Sequence, residues 1–229
     1  MTNSLVAEAG AANESTRGGR SVIDGAFALL EALADGSDMG LTSLASAAGL
    51  PKATAHRLLD QLVGHGAVQR WSGRYRLGPR VFRLGQAWRP ARQLRAAAAR
   101  PIGSLAAGIE RGGFSLSVLD RGQVMVVTGI GREIDELVPL RAGTLLPIET
   151  AAGRILTPAE HPTHLAYDTG SWLPVSCVAA PVFTPSGKIV AALAATTFNR
   201  AGLGALTEPV RRAAAMVSTN LARLSASAS

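Results

Sequence analysis

The residues best suited to chemistry lie between positions 42 and 76. Lys52, Thr54, His56 and Arg57 are spaced so that a helix would turn them to one outer face with Ala53, and Asp60 and Gln61 follow along it. Lysine and arginine donate to guanine edges or to phosphates, and a threonine offers a hydroxyl to phosphate or a methyl to thymine. Thr42 and Ser43 open a shorter segment where backbone amides and hydroxyls favour phosphate. Arg70, Arg74 and Arg76 surround the turn Trp71-Ser72-Gly73. Arg17 and Arg20, further upstream, are placed to reach a minor groove beside it. The chemistry available to this set is recognition of a polyanion, duplex DNA above all. The bland alternative is a small helical bundle with a solvated basic face.

The elements that would position these residues follow from the pattern around them. SVIDGAFALLEALADG repeats apolar residues at helical spacing, with Ser21 as a cap and Gly36 as a stop. Thr42 can cap a short helix with Leu44, Ala45 and Ala48 inside. Gly49 sits where a tight turn needs a positive φ. Pro51 suits the start of a second helix running to about Val63, with Ala55, Leu58, Leu59 and Leu62 inward. Strands at Ala67–Arg70 and Tyr75–Leu77 make a hairpin with a basic tip. Helix, short helix, glycine turn, helix and basic hairpin together are a winged helix-turn-helix, whose second helix enters the major groove.

Charge is divided unevenly along the chain. Residues 1–112 carry 14 Lys/Arg against 8 Asp/Glu, whereas residues 113–229 carry 9 against 8. Within residues 52–100 there are 11 basic residues and one acid, Asp60. Such a split implies one polyanion-binding module and a second module with a different task. Hydrophobic residues make up 47% of the chain and charged residues 17%, which supports a real core and excludes wholesale disorder. No uninterrupted apolar run reaches the ~18 residues of a membrane span. The first residues lack the basic start and apolar block of a secretory signal and read as a disordered arm.

The second half changes character. From Pro79 to about Arg111 the chain reads as helical, broken near Arg89-Pro90 and again near Pro101. FSLSVLD and QVMVVTGI are two strands joined at Asp120-Arg121-Gly122, LVPL is a short strand, and ETAAGRIL is a short helix. VSCVAAPVF and KIVAALAATTF flank Pro185-Ser186-Gly187 as a second hairpin, and Leu206–Leu224 is an amphipathic closing helix. The second half is therefore expected to be α+β, an antiparallel sheet with helices against it.

Enzymatic chemistry finds little to work with. Cys177 is the only cysteine, which excludes an intrachain disulfide and fits a reducing, cytoplasmic setting. As a nucleophile it would need a base; the nearest histidines in sequence are His161 and His164, and a buried inert thiol is the plainer reading. The two histidines around Pro162 are too few for a metal site, and His65 fits a helix terminus. No glycine-rich phosphate loop, metal cluster or triad stands out, so neither a cofactor nor catalysis is expected. The readings left open are a ligand-responsive DNA-binding regulator, a ligand-independent DNA binder with a decayed sensing domain, and an enzyme with an accessory winged helix.

The runs SVIDGAFALLEAL, LPKATAHRLLDQLVGHGAVQR and GRYRLGPRVFRLG resemble the N-terminal domain of the IclR family of bacterial regulators. LRAGTLLPIETAAGRIL and CVAAPVFTPSGKIVAALAATTF resemble parts of that family's effector-binding domain. The resemblance implies an arm over residues 1–19, a winged helix-turn-helix over 20–78, linker helices over 79–100 and a GAF-like domain over 101–229. It also implies dimers or dimers of dimers, and control of adjacent catabolic genes by a small, often carboxylate-bearing metabolite. Carried over position by position, the effector site falls on Leu146, Ala151, Ala152, Asp168, Cys177, Ala194 and Thr196, with Val138 and Leu140 as walls. Ala194 stands where some relatives carry a hydroxyl. The chain departs from the family between Leu156 and Cys177, where only TPAEHPTHLAYDTGSWLPVS intervenes and part of the ligand-covering wall is shortened.

Overall fold

The computed structural model describes residues 21–34, 36–109, 111–157 and 165–226. Arg17, Arg20, His161 and His164 lie outside the described residues. The chain forms two compact units that meet in sequence between Ala87 and Trp88.

In the first unit, α1 (Val22–Ala32) starts at Ser21, whose hydroxyl accepts the Ile23 amide at 3.2 Å. The helix buries Gly25 and Leu29, and Leu33 follows them into the core. Helix α2 (Leu41–Ala47) is preceded by Gly40, so Thr42 lies inside the first turn and is not the cap expected of it. The chain reverses at Gly49, with φ of +61°, and the Leu50 amide returns to the Ala45 carbonyl at 2.9 Å. Helix α3 (Lys52–Gly64) has Pro51 as its extended cap, one position earlier than expected. Its apolar residues Ala55, Leu58 and Leu59 pack with Leu29, Leu44, Val68 and Tyr75. Strands β1 (Val68–Trp71) and β2 (Arg74–Leu77) pair antiparallel across Ser72 and Gly73, both at positive φ, the turn that matches strand twist. Met39 adds a single bridge to Tyr75. Helix α4 (Pro79–Gln86) closes the unit and buries none of its residues.

The second unit begins with α5 (Arg89–Gly108), which runs unbroken through Pro101. The expected break there does not occur. Proline removes the amide that would bond the Ala97 carbonyl, and the Asn220 side chain donates to that carbonyl instead, at 2.9 Å. The sheet is fully antiparallel in the order β5-β4-β3-β8-β7-β6, made of β3 (Gly113–Asp120), β4 (Gln123–Ile130), β5 (Leu145–Leu146), β6 (Ala166–Thr169), β7 (Ser176–Phe183) and β8 (Ile189–Thr197). Helix α5 and the closing helix α7 (Leu203–Ala226) cover one face, packing on Phe114, Leu116, Val178, Leu193 and Ala195. Helix α6 (Ala151–Leu156) lies on the other, over Val126, Ala179, Ala192 and Ala194. Burial on both faces explains why β7 and β8 read as nearly continuous apolar runs.

LVPL is not a strand. It follows a 3-10 turn at Arg132–Glu136, and its amides are spent locally. Val138 donates to the Ile134 carbonyl at 2.7 Å, Leu140 donates to Asp135 Oδ1 at 2.7 Å, and Pro139 has no amide. The short edge strands β5 and β6 were not among the expected elements. No helix among the described residues is long and apolar enough to cross a membrane.

Candidate functional site

Helix α3 exposes Lys52, Ala53, His56, Arg57, Asp60 and Gln61, whereas Thr54 is half-buried. Amphipathic spacing produces this division: the leucines that anchor α3 leave the basic residues on the opposite face. His56 Nδ1 and Asp60 Oδ2 stand 3.2 Å apart, one turn from each other. Thr42 and Ser43 are exposed in the first turn of α2.

The hairpin arginines differ in their surroundings. The Arg74 guanidinium donates to the Asp38 carbonyl through Nε, at 2.9 Å, and through a second nitrogen. Arg76 Nε donates to Gln69 Oε1 at 3.2 Å, and its guanidinium lies 5.4 Å from the Trp71 ring centre. Arg70 stacks over Tyr75 at 5.7 Å. Trp71, the last residue of β1, is 62% exposed and forms an aromatic platform between arginines.

The eight expected effector residues lie around one cavity in the second unit. Val138, Leu146, Ala151, Ala152, Asp168, Cys177, Ala194 and Thr196 all line it, with Leu140. Ser115, Thr150, Trp172, Leu173 and Val175 complete the wall. Alternation along β3 could have pointed to Ser115, and the start of ETAAGRIL to Thr150; nothing in the pattern singles out Trp172. Counted to its mouth the cavity holds about 450 Å³ of non-atom space, of which about 30 Å³ admits the centre of a water molecule.

The cavity is mostly apolar, with a few polar atoms. The Thr150 hydroxyl donates to the Pro147 carbonyl at 2.8 Å and accepts the Gly153 amide at 3.3 Å. The amides of Ala151 and Ala152, in the first turn, have no acceptor within the helix. Asp168 is buried; its Oδ1 accepts the Ser171 amide at 3.2 Å and stands 3.7 Å from an Arg154 nitrogen. The Cys177 thiol donates to Thr196 Oγ1 at 3.4 Å. Burial pushes that thiol up to about 11, the Thr196 hydrogen bond opposes the rise, and the Asp168 charge adds to it. The thiol is therefore protonated at neutral pH and is no nucleophile.

Residues 22–71 match the model of the IclR helix-turn-helix domain. The glycerol operon regulatory protein of Streptomyces coelicolor is 34% identical over 146 residues, 62% of this chain and 57% of that protein. The helix-turn-helix over residues 22–71 is of the IclR type. A second relative, the glycerol operon regulatory protein of Streptomyces griseus, is 33% identical over the same length and shares. The match thus spans a little over half the length of these relatives. The fold agrees with the crystal structure of an IclR homolog from Microbacterium hydrocarbonoxydans complexed with 4-hydroxybenzoate, at a TM-score of 0.75 and 20% identity over 88% of this chain and 99% of that one. The architecture is thus that of the IclR fold, a winged helix-turn-helix and an antiparallel-sheet domain.

Proposed function

We propose that this chain is a DNA-binding transcription regulator of the IclR type, a cytoplasmic repressor of adjacent catabolic genes that a small acid or acid derivative releases from its operator. The observation that carries the reading is the basic face of α3. Lys52, His56 and Arg57 stand out from it, and Arg70 and Arg76 arm the neighbouring hairpin, in a domain that matches the IclR helix-turn-helix. Arg20, Thr42, Ser43, Thr54 and Arg74 complete the proposed contacts. The glycerol operon relatives favour control of a catabolic operon.

The effector class follows from the cavity. Amides at the start of α6 suit a carboxylate, the apolar wall suits a flat body, and Asp168 accepts from a hydroxyl or amine. A solved relative binds 4-hydroxybenzoate, which combines these three features. Reading two half-sites requires at least a homodimer. Val22, Ile23 and Phe27 on α1 and Phe82 and Leu84 on α4 are exposed, an apolar surface suited to a second copy. A homotetramer is the larger assembly.

A second reading, a ligand-independent DNA-binding dimer, draws support from the tightness of the cavity and the short segment after Leu156. A mobility-shift titration on the DNA beside the gene, with and without 4-hydroxybenzoate, separates the two. Release of the DNA by the acid is expected. Binding that small acids and their hydroxyl, amino and hydrazide derivatives leave unchanged favours the second reading, and absence of any specific shift defeats both.

A further inference from the structure

Arg154 projects from α6 with its guanidinium shared among separate pieces of chain. Nε donates to the Glu149 carbonyl at 3.0 Å, before the helix. One terminal nitrogen donates to the Tyr167 carbonyl on β6 at 2.7 Å. The other donates to the Ser171 hydroxyl at 3.2 Å and stands 3.7 Å from Asp168 Oδ1. Asp168, whose side chain is 3% exposed, accepts the Ser171 amide through that same oxygen. The residues that follow Ser171 are Trp172 and Leu173, both lining the cavity. Arg154 itself does not line it.

We propose that Arg154 is a positioning residue of the effector site, which holds the β6–β7 turn over the cavity and fixes Asp168 toward the ligand. The inference rests on the reading of this cavity as the effector site. Space for about 30 Å³ of water centres is room for a water or two, not for a ring, so a ligand must displace a wall. Most walls are anchored: Ala151, Ala152, Ala194 and Val138 are buried among core residues. The β6–β7 turn is the wall that can yield. Trp172 is 44% exposed, and the side-chain ties of the turn run to Asp168 and Arg154. A planar fork can serve the Glu149, Tyr167 and Ser171 oxygens together; a lysine ammonium cannot match that geometry.

The single cysteine makes the turn observable, since Cys177 lines the cavity. The experiment is the labelling rate of Cys177 by 4,4′-dithiodipyridine in the full chain, without ligand and at one pH. Arg154→Met and Arg154→Lys should each accelerate labelling by about tenfold, as expected when a local opening loses a few hydrogen bonds. The acceleration should persist in low urea, which distinguishes local opening from global unfolding. Wild-type labelling rates in both variants overturn the proposal. Acceleration in Arg154→Met with a wild-type rate in Arg154→Lys also overturns it, because charge alone would then be the cause. If Arg154→Met fails to fold, Ser171→Ala supplies the test through a smaller acceleration, and its absence refutes the tie. Protection of wild-type Cys177 by 4-hydroxybenzoate is a separate measurement that tests the cavity as a ligand site.

Discussion

The Arg57 side chain is exposed on α3, and so is that of its neighbour on the outer face, Lys52. Side chains held this loosely lose entropy on binding, but each bidentate base contact discriminates by about 1–3 kcal/mol. Arg57→Ala should therefore weaken operator binding by about that amount at fixed salt, measured by mobility shift. A folded Lys52/Arg57 double-alanine variant that keeps wild-type affinity would remove α3 from the reading role. Cys177 gives a second expectation. Its folded value is about 11, so thiolate is roughly one part in a thousand at pH 8 and reactivity should climb tenfold per pH unit up to about 11. An ordinary exposed thiol would level off near 8.5, so a plateau there would contradict the burial described. The exposed face of α3 was legible from the sequence pattern, and the lining of the cavity from the family resemblance. Their attachments were not. Nothing in the pattern ties Arg74 to the Asp38 carbonyl or Arg154 to β6, because both bonds join residues that are distant in sequence.

At the scale of elements, periodic burial was readable and local amide chemistry was not. The helices at Val22–Ala32 and Lys52–Gly64 and both long hairpins carry strong patterns, so packing and propensity agree. LVPL alternates like a strand, yet the Ile134 carbonyl captures the Leu137 and Val138 amides and the Asp135 carboxylate captures that of Leu140. Pro101 misled in the opposite direction: its interruption of α5 is repaired by Asn220, a side chain on another helix. The repair can be measured. Asn220→Ala should destabilise the chain by about 1–2 kcal/mol, because the Ala97 carbonyl loses its partner. In a Pro101→Ala background the restored amide can bond Ala97 directly, and the same substitution should cost less than half as much. Denaturant titrations of the four proteins give the coupling; equal costs in both backgrounds would show that Asn220 acts otherwise.

For the molecule as a whole, charge and exposed apolar surface set the expectations. Eleven basic residues within 52–100 should make operator affinity fall steeply with salt, by a slope of about 0.9 for every phosphate neutralised. A flat response between low and moderate salt would remove the electrostatic basis of binding. Light scattering should report a dimer or larger at micromolar concentration, and Phe27→Glu with Phe82→Glu should shift it toward monomer. A wild-type monomer would leave the exposed α1 and α4 side chains without a purpose. The division into two modules was legible from charge alone, but its seam was not. The linker expected over residues 79–100 is shared out: α4 belongs to the first unit, and Leu94, Ala97 and Ala98 of α5 belong to the core of the second. That seam has a practical meaning for anyone recombining such proteins. A chimera that grafts the second unit onto a foreign helix-turn-helix should be cut between Ala87 and Trp88; a junction after Arg100 would leave half of α5 behind, and with it the carbonyl that Asn220 grips.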